Sequence, residues 1–220
     1  MSDTTDRLTR LIELATTNAP ENRRTLAIEL CDLLLDWPAH HPVNMREPFE
    51  ALLEKTVRGI DDETRRMLAE KFGRNEETPV YLLNEFYFDS PADARDTIVL
   101  RNALMDASSC QPFDKCATDE AALLAAARGQ RQDELLSALA RTFGIDLTTA
   151  YSIIEDRSGR SLAIACKGAH ISRATFSAVA LLSETGSGLD EIRERLSVFD
   201  GVPMVGAERL LDYWRTRQAA

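Results

Sequence analysis

At 220 residues the chain is long enough to bury a sizeable core, as one large domain or two small ones. Hydrophobic residues make up 44% and charged residues 28%, an ordinary globular balance, while aromatics are only 6%. Ala and Leu dominate, which favours helix over strand, and the net charge of −10 disfavours broad contact with nucleic acid.

Helical periodicity runs almost without interruption. "TDRLTRLIELATT" lines up Leu8, Leu11, Ile12 and Ala15. "APENRRTLAIELCDLLLDW" starts with Pro20 in the first turn and aligns Leu26, Leu30, Leu33 and Leu34. "WPAHHPVN" breaks the chain, since two prolines bracket His40 and His41. "NMREPFEALLEKTVRGI" resumes with Phe49, Leu52, Leu53 and Val57. "DDETRRMLAEKFG" begins with acids, which the helix dipole favours, and stops at Gly73. "TPVYLLNEFYF" and "SPADARDTIVLRNALMDA" follow, the latter with Ser90 as cap and Pro91 behind it.

The Pro/Cys loop "SSCQPFDKCAT" marks a soft boundary, and a helical-repeat part over 1–109 and a helical part over 118–220 are expected on its two sides. After it come seven short segments: "DEAALLAAAR", "QDELLSALARTFG", "DLTTAYSIIED", "RSLAIACKGA", "SRATFSAVALLSE", "GLDEIRERLSVFD" and "GAERLLDYWRTRQ". No stretch sustains a two-residue alternation. Short amphipathic helices in sequential pairs read as an all-α chain, an irregular α-solenoid in which stacking supplies the core. The longest apolar runs, such as "AALLAAA" and "FSAVALL", fall short of the roughly 20 residues of a bilayer span. "MSDTTDRLTR" lacks the apolar core of a secretory signal, so a cytoplasmic protein is expected.

Catalytic patterns do not emerge. His40 and His41 lie in a loop with only Asp36 nearby, too few ligands at the right spacing for a metal. Cys31 and Cys166 sit inside apolar helical patterns and are expected to be core thiols. Cys110 and Cys116 flank "QPFDK" without a second pair or a histidine, which leaves a regulatory disulfide as the alternative to plain loop thiols. No glycine-rich phosphate loop, nucleophile elbow or paired-histidine zinc motif is present, and the reading is non-enzymatic, with no cofactor.

Two hairpins fit the helix-turn-helix spacing, in which a small residue is followed four positions later by a turn residue and then an apolar clamp. In "ALARTFGIDLTTAYSIIED" these are Ala140, Gly144 and Ile145; in "AIACKGAHISRATFSAV" they are Cys166, His170 and Ile171. The second carries the better reading face. Residues 157–183 contain Arg157, Arg160, Lys167 and Arg173 and no acid, whereas residues 1–130 hold 15 basic and 24 acidic residues. Those four cations are the candidate phosphate contacts of a DNA-binding or signalling regulator built on the hairpin 161–182, the alternative reading. Any tight helical corner needs the same small, turn and clamp residues, so the preferred reading is a protein-interaction or scaffold module with an unidentified protein partner. Its candidate anchors, if exposed, are Tyr81, Phe86, Tyr87 and Phe88 in one segment and Trp214 in the last. The face Leu210, Leu211 and Trp214 is also a candidate homodimer contact.

The stretch "AYSIIEDRSGRSLAIACKGAHISRATFSAVALL" resembles the C-terminal signature of a bacterial family, domain of unknown function 2336, seen mostly in alphaproteobacteria. The shared features are a helix ending in an acid, then Ser158, Gly159, Leu162 and Lys167, then a helix closing on Leu181–Leu182. Upstream, "DDETRRMLAEKFGRNEETPVYLLNEFYFDSPADARDTIVLRNALMD" is similar to the helical-repeat portion of that family. The resemblance spans roughly residues 20–185, and where the family usually has Leu-Gly this chain has Ala169–His170. It implies an all-helical, HEAT-like fold in a bacterial cytoplasmic protein and brings no catalytic residues with it.

Overall fold

The computed structural model describes residues 10–11, 13–15, 19–37, 46–76, 78–105, 120–129, 131–182 and 189–217. Among them the chain forms twelve α-helices from Pro20 onward, residues 10–11 and 13–15 are helical too, and there is no strand, so the fold is all-α, held by helix packed on helix. His40, His41, Cys110, Cys116 and the Pro/Cys loop lie outside the described residues. The contacts gather into two compact units, 1–94 and 95–220.

The first unit contains α1 (Pro20–Leu35), α2 (Glu47–Val57), α3 (Asp62–Gly73) and α4 (Val80–Glu85). Pro20 starts α1, where its missing N–H costs nothing. Leu26, Leu30, Leu34 and Cys31 then face the core beside Leu53, Val57, Leu68 and Phe72. Asp61 caps α3, its carboxylate accepting the Thr64 N–H at 2.9 Å. The helix of the "TPVYLLNEFYF" segment ends at Glu85, and Phe86–Asp89 form turns. Arg65 fastens these pieces. It donates to the Asp89 carboxylate at 2.7 and 3.0 Å and to the Val57 carbonyl at 3.0 Å, and its guanidinium lies 5.6 Å from the Phe86 ring centroid.

The second unit takes in α5 (Ala92–Leu104) from Arg95 onward, then α6 (Glu120–Arg128), α7 (Gln132–Phe143), α8 (Leu147–Glu155), α9 (Arg160–Gly168), α10 (Arg173–Leu182), α11 (Leu189–Gly201) and α12 (Met204–Thr216). Helix α9 is its centre: Ser161 to Cys166 and Gly168 are all buried. Helix α12 passes close to it and to α5. A Cβ on Gly168 would stand 2.6 Å from the Ala207 carbonyl oxygen, and one on Gly206 would stand 2.3 Å from that of Val99. Both positions therefore demand glycine. Such close passage brings Leu210, Leu211 and Trp214 into the same core as Leu162, Ile164, Phe176 and Val179. Cys31 and Cys166 are free, buried thiols, as the sequence suggested, and burial pushes the thiol of each far up.

Candidate functional site

Between α8 and α9 lies the turn that carries the signature residues. Asp156 ends α8 and is held by donors from the next five residues. Ser158 gives its N–H at 3.2 Å and its hydroxyl at 2.7 Å, and Ser161 gives its N–H at 2.9 Å and its hydroxyl at 2.5 Å. Arg95 of α5 adds an ion pair at 3.2 Å. Burial pushes the Asp156 carboxyl up, but the serine donors and Arg95 outweigh it and hold the group below its ordinary value. Gly159 supplies a left-handed turn at φ 71°, and the Arg195 side chain fills the space where a Cβ would stand, 2.3 Å away. Arg160 pairs with Asp96 at 2.6 Å. The motif is thus a buried polar joint that docks α5 onto the α8–α9 turn.

The two corners singled out from spacing have the same backbone. In each, a turn residue with positive φ closes the first helix: Gly144 at 67° and His170 at 56°. The next N–H then reaches back five residues, Ile145 to the Ala140 carbonyl at 3.0 Å and Ile171 to the Cys166 carbonyl at 2.8 Å. Ile145 and Ile171 are both buried clamps.

The second corner is closed by acids from elsewhere. Ser172 caps α10, its hydroxyl accepting the Thr175 N–H at 3.2 Å. Glu120, 52 residues away on α6, accepts the Ser172 hydroxyl at 2.9 Å and also the Thr175 hydroxyl. These donors hold the Glu120 carboxyl below its usual value. Arg173 makes a two-point contact with Asp200 of α11, at 2.9 and 2.8 Å. Lys167 donates to the Val202 carbonyl at 2.5 Å and the Asp200 carbonyl at 3.4 Å, which neutralises the negative end of α11, and stands 5.2 Å from the Phe199 ring. His170 meets Glu208 of α12 at 3.0 Å. Of the four nominated cations, then, Arg160, Lys167 and Arg173 have partners within the chain, Arg173 on the exposed surface, and Arg157 is exposed without an ion pair among the described residues. Sequence reasoning saw an acid-free segment; folding brings Glu120, Asp200 and Glu208 onto it.

The candidate aromatic anchors divide. Phe86 is 1% exposed and stacks on Phe72 at 5.3 Å, and Trp214 is 2% exposed in the core of the second unit. These two are interior residues, so a partner does not reach them. Tyr87 is also buried. Tyr81 and Phe88 are half-buried. Burial and the Glu50 carboxylate push the Tyr81 phenol up, and Arg46 lies 5.9 Å from its ring centroid while pairing with Glu50. Phe88 meets Tyr87 edge-on at 5.2 Å.

One exposed apolar face that the sequence pattern did not mark lies on α8. Leu147 is 59% exposed and Tyr151 49%, one turn apart and to one side of the stripe formed by the buried Ala150 and Ile153. The apolar arc of this helix is wider than the stripe its own core buries, and that was the readable signal. The first corner holds this helix firmly. Asp146 caps it, accepting the Thr149 N–H at 2.5 Å, and Arg215 of α12 donates to the Phe143 carbonyl at 2.7 Å.

Among the described residues, no group of three His, Cys, Asp or Glu side chains is placed to hold a metal ion, and no helix is long and apolar enough to cross a membrane. The fold and this joint define an all-helical chain whose signature residues serve packing and polar closure. It belongs to the family described as an uncharacterised protein conserved in bacteria (DUF2336), which matches residues 50–212. No curated protein and no solved structure matches the chain.

Proposed function

We propose that the chain is a non-enzymatic, cytoplasmic interaction or scaffold module that recognises a protein partner, with its helical pairs arranged as an irregular, HEAT-like array. The observation that carries this reading is the Leu147–Tyr151 pair, apolar and exposed on a helix whose corner is anchored by Gly144, Asp146 and Arg215. A rigid amphipathic anchor of this kind loses little side-chain freedom on binding, and tyrosine is favoured at the centre of such contacts. The use of the hairpin 161–182 as a nucleic-acid reader is supported less well, because its cations and its helix start already have partners within the chain. The test is affinity capture from native lysate with and without nuclease. A nuclease-insensitive protein partner, lost in the double variant Leu147→Asp/Tyr151→Asp while circular dichroism stays unchanged, is the expected result. Recovery that disappears with nuclease and in Arg173→Glu would overturn it in favour of nucleic acid.

A further inference from the structure

We draw no further inference here: the strongest candidate, the exposed Leu147–Tyr151 face of helix α8, belongs to the interaction reading already given, and nothing in the structure shows what covers it.

Discussion

The corners at Gly144 and His170 reach one backbone geometry by different means. At the first, nearly everything needed is local: a glycine that tolerates positive φ, Asp146 as the cap three residues before its donor, and Ile145 as the clamp. At the second, the turn residue is a histidine, and the helix start is finished by Glu120 from another helix. A left-handed conformation costs a residue with a Cβ about 1–2 kcal/mol. The second corner carries that cost and is surrounded by tertiary contacts: Glu208 on His170, Asp200 on Arg173 and the end of α11 on Lys167. The comparison shows why helix-turn-helix spacing is weak evidence for DNA binding. The spacing specifies a corner, and the surroundings decide whether its face is open. Here three of the four cations of the more basic corner already have partners in the chain, and the less basic corner presents apolar side chains.

The Asp156 joint lies between the two corners in the chain, and the largest expected effect comes from breaking it. Asp156→Ala leaves Arg95 and the two serines without their acceptor, an expected loss on the order of 3 kcal/mol in urea unfolding. A loss below about 0.5 kcal/mol, the range of ordinary surface substitutions, would sink the joint as a structural element. Its pH dependence follows from the lowered carboxyl. The stabilisation is complete above the ordinary Asp value of about 4 and disappears as pH falls through the lower, folded-state value. Between pH 5 and pH 2, on the order of the range in which carboxylates titrate, Asp156→Asn should therefore lose stability less steeply than the natural chain. Parallel slopes would contradict the assignment.

Next in size is Gly206→Ala, which pushes a Cβ into the Val99 carbonyl and should cost about 1–3 kcal/mol through overpacking. A neutral result would mean that α5 shifts freely on α12. The comparison itself is sharpened by reciprocal substitutions. Gly144→Ala should cost roughly 1 kcal/mol, because alanine takes on the left-handed penalty and gains no partner. His170→Gly should change stability by less than about 0.5 kcal/mol, because relief of that penalty offsets the lost Glu208 contact, which is half-exposed. Equal costs at the two sites in chemical denaturation would erase the distinction between them. The smallest stability effect is expected for Leu147→Asp/Tyr151→Asp, within about 0.5 kcal/mol as for ordinary surface changes, although partner capture should be lost. Marked unfolding would show that the face serves the core instead.

Much of the fold was legible in the chain. The Pro-led start of α1, the acidic start of α3 and the apolar spacing of Leu26, Leu30 and Leu34 all act over a few residues, so the pattern carries them. The site was less legible. Phe86 and Trp214 resembled anchors because aromatic side chains look alike in sequence whether they meet a partner or a neighbouring helix. The role of Arg160 and Arg173 depended on Asp96 and Asp200, 64 and 27 residues away, which no local window contains.

By itself, then, the sequence determined that this is an all-helical protein with two tight corners and a signature turn rich in serine, glycine and arginine. Helix propensity, capping and apolar period are local properties, and they survive any arrangement of the helices. Tertiary structure alone decided which cations are consumed, which aromatics are interior and which helix keeps an apolar face outside. In the second unit those outcomes depend on the close passage of α12 by α9 at Gly168 and by α5 at Gly206, and on the acids that α6, α11 and α12 deliver to the second corner. Charge and burial are properties of neighbours in space, and the neighbours are set only when the helices pack.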